Sequence, residues 1–133
     1  MTVLPEEIGG GFDNVLGLEY VTMTPDGGRA TLAITEKLLQ PWGIVNGGVY
    51  CAVIESMASV SGQFWLNEHG GGNVVGVNNN TDFLRAIRTG TVSATSTAIH
   101  RGRRQQLWLV TLTDESDRLV ARGQVRLQNL PPE

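Results

Sequence analysis

Residues 40–59 read QPWGIVNGGVYCAVIESMAS, and this stretch opens the one long helix that the sequence predicts. After Pro41 the helical spacing is carried by Tyr50, Val53, Ile54, Met57, Ser61, Phe64 and Trp65. Three glycines at positions 70–72 supply a stop, so we place the helix at Gly47 to Asn67. A single charged residue, Glu55, lies near its middle. Because an ionised carboxylate is costly to bury, Glu55 must be exposed, paired with a distant residue or functional.

Segments typical of β-strands lie on both sides of this helix. Two precede it, Leu16–Thr24 and Arg29–Thr35, and the residues PDGG between them favour a hairpin turn. Four follow it, at Val74–Leu84, Gly90–Arg101, Gln105–Thr113 and Leu119–Asn129, with the spacing of an antiparallel meander. This order predicts an α+β fold in which a curved antiparallel sheet of five to six strands wraps around one long central helix.

Length and composition restrict the class of protein. A chain of 133 residues with 41% hydrophobic residues suits one domain, which we expect to span residues 1–133. The net charge of −3 argues against a general nucleic-acid binder, and no apolar run is long enough to span a membrane. Cys51 is the only cysteine, and His69 and His100 are the only histidines, so we expect no disulfide and no metal centre. The first residues lack the pattern of a secretory signal, and we expect a cytoplasmic protein.

The helical positions three, four and seven residues from Glu55 are all small. They are Gly48, Cys51, Ala52, Ala58, Ser59 and Gly62. Such a face leaves space beside the carboxylate for a ligand or another backbone. The alternative is an ordinary solvent-exposed polar stripe, although such stripes usually carry several charges and this helix carries one.

Asn46-Gly47-Gly48 marks the start of the helix, where backbone N–H groups have no acceptor within the helix. Glycine allows a ligand atom to approach this backbone closely. An oxyanion formed during acyl transfer would be stabilised here, and one such donor contributes about 3 kcal/mol in the transition state. The alternative is that Asn46 caps the helix and the two glycines allow tight packing. The donor and the Glu55 carboxylate, about two turns apart, are more informative together than either alone.

The stretch that opens the helix resembles the pattern of one known family. The matching run is Gln40…Gly43-Ile44-Val45-Asn46-Gly47-Gly48…Glu55…Ser59, between two predicted strands and four. It resembles the hotdog-fold acyl-CoA thioesterases, and most closely the branch typified by the Arthrobacter 4-hydroxybenzoyl-CoA thioesterase and its phenylacetyl-CoA thioesterase relatives. Members commonly have His-Gly-Gly before the helix, and this chain departs from that pattern with Asn46. Glu55 is the acidic residue of the Arthrobacter-like branch.

The resemblance implies a role for each matching residue. Glu55 would act on the thioester carbonyl as nucleophile or general base, and the Gly47 N–H would polarise that carbonyl. Gln40 would orient the thioester or the attacking water, and Ser59 would hold the carboxylate or the water. The family builds its site across a dimer, so we expect a homo-oligomer with a dimer as the minimum and a tetramer as the full assembly. No metal or redox cofactor is implied.

Further residues are candidates for binding the acyl-CoA substrate. Asn46 and Gly48 lie beside the oxyanion donor, and Trp42 is close enough in sequence to Gln40 to border an acyl pocket. Asn78 lies in a strand that is unusually rich in polar residues, where an exposed strand face is an equal alternative. The densest positive charge in the chain, at Arg101, Arg103 and Arg104, would bind the CoA phosphates, although arginines in turns are more often simply solvated.

Two other functions remain open for this fold. A module that binds an acyl ligand without catalysis needs only an apolar pocket, and Glu55 beside a small-residue face is more than such a pocket requires. A dehydratase of this fold generally depends on a catalytic histidine, and Asn46 at that place counts against it. The identity of the acyl group is open, and an aryl group is favoured only by the resemblance.

Overall fold

Helix α2 (Gly47–Asn67) is the centre of the fold in a computed structural model, which describes residues 8–133. The other elements, in chain order, are α1 (Phe12–Leu16), β1 (Leu18–Thr24), β2 (Gly27–Ala33), a 3₁₀ turn (Glu36–Leu38), β3 (Asn73–Phe83), β4 (Thr91–Arg101), β5 (Gln105–Thr113) and β6 (Leu119–Leu130). Within the described part of the chain, neither helix is long and apolar enough to cross a membrane.

The six strands form one antiparallel sheet in the order β1-β2-β4-β5-β6-β3, and helix α2 contacts every one of them. Buried apolar residues recur every three or four positions along α2, and they meet the alternating buried side chains of β4, β5 and β6. The predicted α+β architecture of one long helix against a six-stranded antiparallel sheet is therefore confirmed.

The predicted meander of the last four strands is wrong for β3. Strands β4, β5 and β6 are sequential neighbours, but β3 pairs with β6 at the far edge of the sheet, and β4 pairs with β2. The spacing of strands along the sequence does not determine which strands pair: β3 follows the 21-residue helix α2 and pairs with β6, not with its sequence neighbour β4. Strand β3 is therefore an edge strand, and it runs beside the helix that carries Glu55.

Buried polar side chains fix α2 on the sheet. Gln106 is fully buried, and its side-chain amide donates to the Gly62 carbonyl at 3.2 Å and to Asn129 Oδ1 at 2.8 Å. Trp108 Nε1 in turn donates to Gln106 Oε1 at 2.8 Å. Each hydrogen bond of this kind contributes about 1 kcal/mol, and leaving one partner unpaired costs more. The position of the helix relative to β5 is thus set by bonds as well as by packing.

Helix α1, which the sequence analysis did not predict, is tied to the core by Asp13. The carboxylate of Asp13 accepts hydrogen bonds from Tyr20 Oη at 2.7 Å and from Ser56 Oγ at 2.5 Å. Burial and this carboxylate together raise the pKa of Tyr20, so its hydroxyl remains a donor. A five-residue helix is too short to be stable alone, and these contacts with β1 and α2 hold it in place.

Candidate active site

Glu55 lies half-buried on the side of α2 that faces β3. Its Oε1 accepts a hydrogen bond from Asn79 Nδ2 at 3.2 Å, and its Oε2 lies 3.5 Å from Ser59 Oγ. Asn79 is itself fixed, because Nδ2 also donates to the Cys51 carbonyl at 3.1 Å and Oδ1 accepts from Thr81 Oγ1 at 2.7 Å. Among residues 8–133, no cation forms a salt bridge with Glu55. Within the described part of the chain, the carboxylate is therefore oriented by neutral hydrogen-bond donors and is not engaged by a cation.

Gly76 makes room for this carboxylate. A Cβ atom at position 76 would overlap Glu55 Oε2, so no other residue fits there without displacing the Glu55 side chain. A β-bulge between Gly76 and Asn78 shifts the alternation of β3. As a result Asn79, and not Asn78, directs its side chain to Glu55, and Asn78 is exposed. A contact between Asn78 and substrate stays a prediction.

Two residues that contact Glu55, Gly76 and Asn79, were thus not predicted from the sequence. A glycine inside a strand is a sign of close approach by another group, and that signal was available. The bulge that exchanges Asn78 for Asn79 depends on how β3 pairs with β6, which the local sequence does not reveal.

The predicted small face of α2 is narrower than the helical spacing indicated. Ala58 and Gly62 are buried, and a Cβ atom on Gly62 would meet Leu127 and Gln106 of the sheet. Cys51, Ala52 and Ser59 are half-buried and stay beside Glu55, and Gly48 is exposed. The curved sheet covers part of the face, because it contacts the helix with all six strands.

Asn46 caps helix α2. Its Oδ1 accepts a hydrogen bond from the Gly48 N–H at 2.8 Å, and its carbonyl accepts from the Val49 N–H at 2.9 Å. The N–H of Gly47 has no acceptor within residues 8–133. The alternative interpretation, that Asn46 caps the helix, is therefore confirmed. The cap leaves the Gly47 N–H, at the positive end of the helix dipole, without an acceptor in the described part of the chain.

Gly47 opens on a cavity of about 380 Å³ that Gln40, Tyr50 and Phe83 also line. Gln40 lies in a tight loop in which its Oε1 accepts from the Trp42 N–H at 2.5 Å. This bond occupies the oxygen of the Gln40 amide and leaves its NH₂ group as a donor. The structure thus brings Gln40 and Gly47 together, and their two donors suit a carbonyl oxygen that acquires negative charge.

Glu55 does not reach this cavity within one chain. It follows Gly47 by eight residues, which corresponds to about 12 Å along the helix axis and a rotation of about 80° around it. A donor must lie about 3 Å from the carbonyl oxygen, and an attacking atom must lie about 3–3.5 Å from the carbonyl carbon. A single chain therefore presents two separated half-sites, the Gln40–Gly47 cavity and the Glu55–Asn79 pair.

Two of the other predicted binding residues, Trp42 and Arg101, lie in segments that are held by hydrogen bonds within the chain. Trp42 is 81% exposed, and its loop is held by Arg88 Nη1, which donates to the Trp42 and Gly43 carbonyls at 3.3 Å each. Arg101 is engaged by Asp26 at 2.8 Å and by the Pro25 carbonyl at 2.9 Å. The predicted arginine cluster is therefore divided: Arg101 is bound to the turn between β1 and β2, whereas Arg103 and Arg104 are exposed.

Arg103 and Arg104 are exposed and border a cavity of about 450 Å³ together with His100 and Gln128. They are exposed and carry the charge to bind an anion, and their role toward CoA phosphates stays a prediction. Within residues 8–133, no group of three His, Cys, Asp or Glu side chains is arranged to hold a metal ion.

Comparison with known proteins identifies the family of this chain. The family described as the thioesterase superfamily matches residues 43–121, which include Gly47, Glu55 and Ser59. The chain belongs to the thioesterase superfamily. The predicted hotdog fold and the thioesterase resemblance are confirmed at this level, and the closer resemblance to the Arthrobacter branch stays a prediction.

Individual members of the superfamily are similar over most of the chain. A Mycobacterium tuberculosis protein named as an esterase, Rv1847, is 64% identical over 120 residues, which cover 90% of this chain and 86% of that protein. Its solved structure has a TM-score of 0.90 at 61% identity, over 92% of this chain and 98% of the other.

Two more distant relatives carry names that state a chemistry. A 1,4-dihydroxy-2-naphthoyl-CoA hydrolase of Listeria monocytogenes is 32% identical over 110 residues, which cover 83% of this chain and 88% of that protein. The solved structure of thioesterase HI1161 from Haemophilus influenzae has a TM-score of 0.88 at 30% identity, over 98% of this chain and 93% of the other.

Proposed function

We propose that this protein hydrolyses an acyl-CoA thioester, with an aryl or short acyl group, to the free acid and CoA. Membership in the thioesterase superfamily supports thioester hydrolysis. The single observation that carries the proposal is Glu55, a half-buried carboxylate oriented by Asn79 and left without a cation among the described residues. The free Gly47 N–H supplies the complementary group, a donor for the carbonyl oxygen.

The chemistry of each step follows from these groups. The thioester carbonyl oxygen accepts hydrogen bonds from the Gly47 N–H and the Gln40 amide, which stabilise the negative charge that develops on it. Glu55 then acts in one of two ways. As a nucleophile it forms an acyl anhydride and expels CoA as the thiolate, and water then hydrolyses the anhydride to the free acid and restores Glu55. As a general base it removes a proton from water that attacks the carbonyl carbon, and the tetrahedral intermediate breaks its C–S bond and expels CoA as the thiolate.

Ser59 and Asn79 hold the Glu55 carboxylate in place during this reaction. Ser59 is the weaker partner, because its Oγ lies 3.5 Å from Glu55 Oε2 and a hydrogen bond of this length is weak. Catalytic hydrogen bonds of this kind commonly shorten when substrate binds. Asn79 is the stronger positioning group, because its own amide is fixed at both ends.

A second copy of the chain completes the site in this proposal. The Gln40–Gly47 half-site of one subunit and the Glu55–Asn79 half-site of another face the same thioester, which removes the separation of about 12 Å found within one chain. Edge strand β3 supports such pairing, because it exposes Val75 and Val77 and has a strand neighbour on only one side. A homodimer is the minimum, and a cytoplasmic homotetramer is the full form of the proposal.

The nucleotide end of CoA is assigned to the exposed Arg103 and Arg104. Arg101 takes part only if it releases Asp26. Asn46, Gly48, Trp42 and Asn78 are kept as further contacts to the substrate. The N–H of Gly48 is occupied by the Asn46 cap, so Gly48 would contribute through its lack of a side chain.

The experiment that tests this function follows the release of free thiol from a panel of aryl and aliphatic acyl-CoAs. The wild type is expected to hydrolyse at least one of them, and Glu55→Ala and Glu55→Gln are expected to lower kcat by at least about a hundredfold. Glu68→Gln is the matched control, because Glu68 is an exposed carboxylate at the end of the same helix. Full activity in both Glu55 variants would refute the catalytic role.

The same panel separates catalysis from binding alone. A protein that binds acyl-CoA tightly, releases no thiol and is indifferent to Glu55→Gln would be a binding module instead of a hydrolase. Measuring the Kd of each acyl-CoA beside the turnover decides between these outcomes.

A further inference from the structure

The cavity beside Gly47 contains one buried polar group that the proposed mechanism does not use, the hydroxyl of Tyr50. Tyr50 is 3% exposed and lines this cavity. Among the side chains of residues 8–133, Tyr50 Oη is the only buried oxygen or nitrogen without a hydrogen-bond partner. The helical spacing of Tyr50 by itself predicts only a residue on the apolar face of α2.

An unpaired buried hydroxyl is unfavourable. Leaving such a group without a partner costs about 1–3 kcal/mol, and nearly all buried polar side chains in native proteins are paired. The other tyrosine of the described chain follows this rule, since Tyr20 Oη donates to Asp13 at 2.7 Å. The fold supplies a partner for Tyr20 and none for Tyr50. A partner from outside the chain is the simplest explanation.

The surroundings of Tyr50 indicate where that partner would come from. Tyr50 follows Gly47 by three residues, so the two lie on neighbouring parts of the helix surface, about 4.5 Å apart along the axis. The ring of Phe83 packs against Tyr50 with a centroid distance of 5.9 Å, and it also lies over Gly47. An acyl group that occupies this cavity, with the thioester carbonyl oxygen at Gly47, would contact Phe83 and Tyr50.

We propose that Tyr50 is a specificity-determining residue, whose hydroxyl forms a hydrogen bond with an oxygen substituent on the acyl group. Phe83 provides the apolar surface for the acyl group, and Tyr50 distinguishes a ring that carries a hydroxyl from the same ring without one. This inference rests on the proposed hydrolase function, and it adds the residue that selects among acyl groups. Tyr50 does not touch the reacting atoms and has no part in the chemical step.

The protonation state of Tyr50 suits this role. Burial raises the pKa of its hydroxyl above the usual value, so the group is protonated at neutral pH and can both donate and accept a hydrogen bond. A site that hydrogen-bonds a substrate hydroxyl discriminates against an analogue that lacks it, because the analogue leaves the buried group unpaired.

The test compares benzoyl-CoA with its three ring-hydroxylated isomers in the full-length wild type and in Tyr50→Phe. The wild type is expected to hydrolyse at least one hydroxylated isomer with a kcat/KM about tenfold above that of benzoyl-CoA. Tyr50→Phe is expected to reduce this ratio to within about twofold of unity. A ratio that is the same in Tyr50→Phe and the wild type, for every isomer, would overturn the inference.

Tyr20→Phe is the matched control, because it removes the hydroxyl that the fold already pairs. It is expected to keep the substrate ratio and to lower Tm, since Asp13 loses a partner. Tyr50→Phe is expected to have the Tm of the wild type or a higher one, because it removes an unpaired buried hydroxyl. A fall in Tm as large as that of Tyr20→Phe would mean that Tyr50 Oη has a partner within the protein or a trapped water, which contradicts the inference.

A binding measurement keeps this inference distinguishable from the proposed function. If the wild type hydrolyses none of the four acyl-CoAs, the hydrolase proposal fails for them. The Kd values of benzoate and the three hydroxybenzoates then decide the role of Tyr50. Tighter binding of one hydroxybenzoate to the wild type, lost in Tyr50→Phe, supports it; equal binding to both proteins refutes it.

Discussion

Gly76 provides the space in which the Glu55 carboxylate lies. The carboxylate of Glu55 on α2 occupies the space that a side chain at position 76 of β3 would fill, since any Cβ there would overlap Glu55 Oε2. Glycine in a strand weakens it, by its conformational entropy and by the packing that it lacks. This local loss of stability accompanies a half-buried carboxyl group beside an edge strand.

Asn79 and its neighbour Asn78 offer a test of this half-site. Asn79→Ala is expected to lower kcat about ten- to a hundredfold, because Glu55 Oε1 loses its donor and the carboxylate its orientation. Asn78→Ala, one position away on the exposed side of the bulge, is expected to leave kcat unchanged and to raise KM if Asn78 contacts the substrate.

Steady-state kinetics of the two variants with one acyl-CoA check this expectation, and circular dichroism confirms that both are folded. A larger loss of kcat in Asn78→Ala than in Asn79→Ala would contradict the orientation of β3 described above.

Helix α2 joins stability and function at its first turn. Asn46 uses its side chain to cap Gly48, and the cap leaves Gly47 as the one free donor of that turn within the described chain. The same residue therefore stabilises the helix and determines which N–H group faces the cavity.

Variants of Asn46 are expected to separate these two effects. Asn46→Ala removes the cap and is expected to cost about 1 kcal/mol of unfolding free energy. Asn46→Asp keeps the cap and places a negative charge at the positive end of the helix dipole, so stability is retained or increased by up to about 1 kcal/mol. Its kcat is expected to fall, because a carboxylate beside Gly47 opposes the charge that develops on the carbonyl oxygen.

Urea denaturation gives the stability of these Asn46 variants, and thiol release gives their kcat. If Asn46→Asp matches the wild type in kcat, the developing charge is not located at Gly47.

The elements of the fold were largely predictable, because their signals are local. The helix from Gly47 to Asn67 has the predicted bounds, since the Asn-Gly-Gly start, the 3.6-residue period and the glycine stop all lie in its own sequence. Strand boundaries agree to within about two residues. Helix α1 was missed because it depends on Asp13 contacts with Tyr20 and Ser56, which come from distant parts of the chain.

The candidate site was predictable only in part, and for the same reason. Gly47, Gln40 and Glu55 lie in one continuous stretch whose pattern is recognisable. Asn79, Gly76 and the partner-free hydroxyl of Tyr50 become visible only when β3 lies beside α2. The edge position of β3 follows from the pairing of all six strands, which no local segment specifies.

The separation of the two half-sites makes assembly a requirement for catalysis in the proposed enzyme. Two copies related by a two-fold axis would form two equivalent sites, each with Gly47 and Gln40 from one subunit and Glu55 from the other. A single chain then contains no complete active site, although it carries both Gly47 and Glu55.

Mixing two inactive variants tests this arrangement. Gln40→Ala and Glu55→Ala, denatured and refolded together in equal amounts, are expected to recover about a quarter of the wild-type activity. Half of the resulting dimers contain both variants, and each mixed dimer has one intact site out of two.

The control refolds each variant separately and measures the sum of their activities. Activity of the mixture equal to that sum would place Gln40 and Glu55 of the same chain in one site and would require a large rearrangement of helix α2.

Trp42 gives the protein an intrinsic optical probe. Its indole is 81% exposed on the loop that carries Gln40, whereas Trp108 is fully buried and Trp65 is stacked on His69 at 4.2 Å between ring centroids. Indole emission shifts to shorter wavelength when the ring leaves water, and a soluble quencher reaches an exposed ring before a buried one. Emission wavelength and quenching therefore distinguish Trp42 on the Gln40 loop from Trp108 in the core. Subunit association that covers Trp42 can then be followed without an added label.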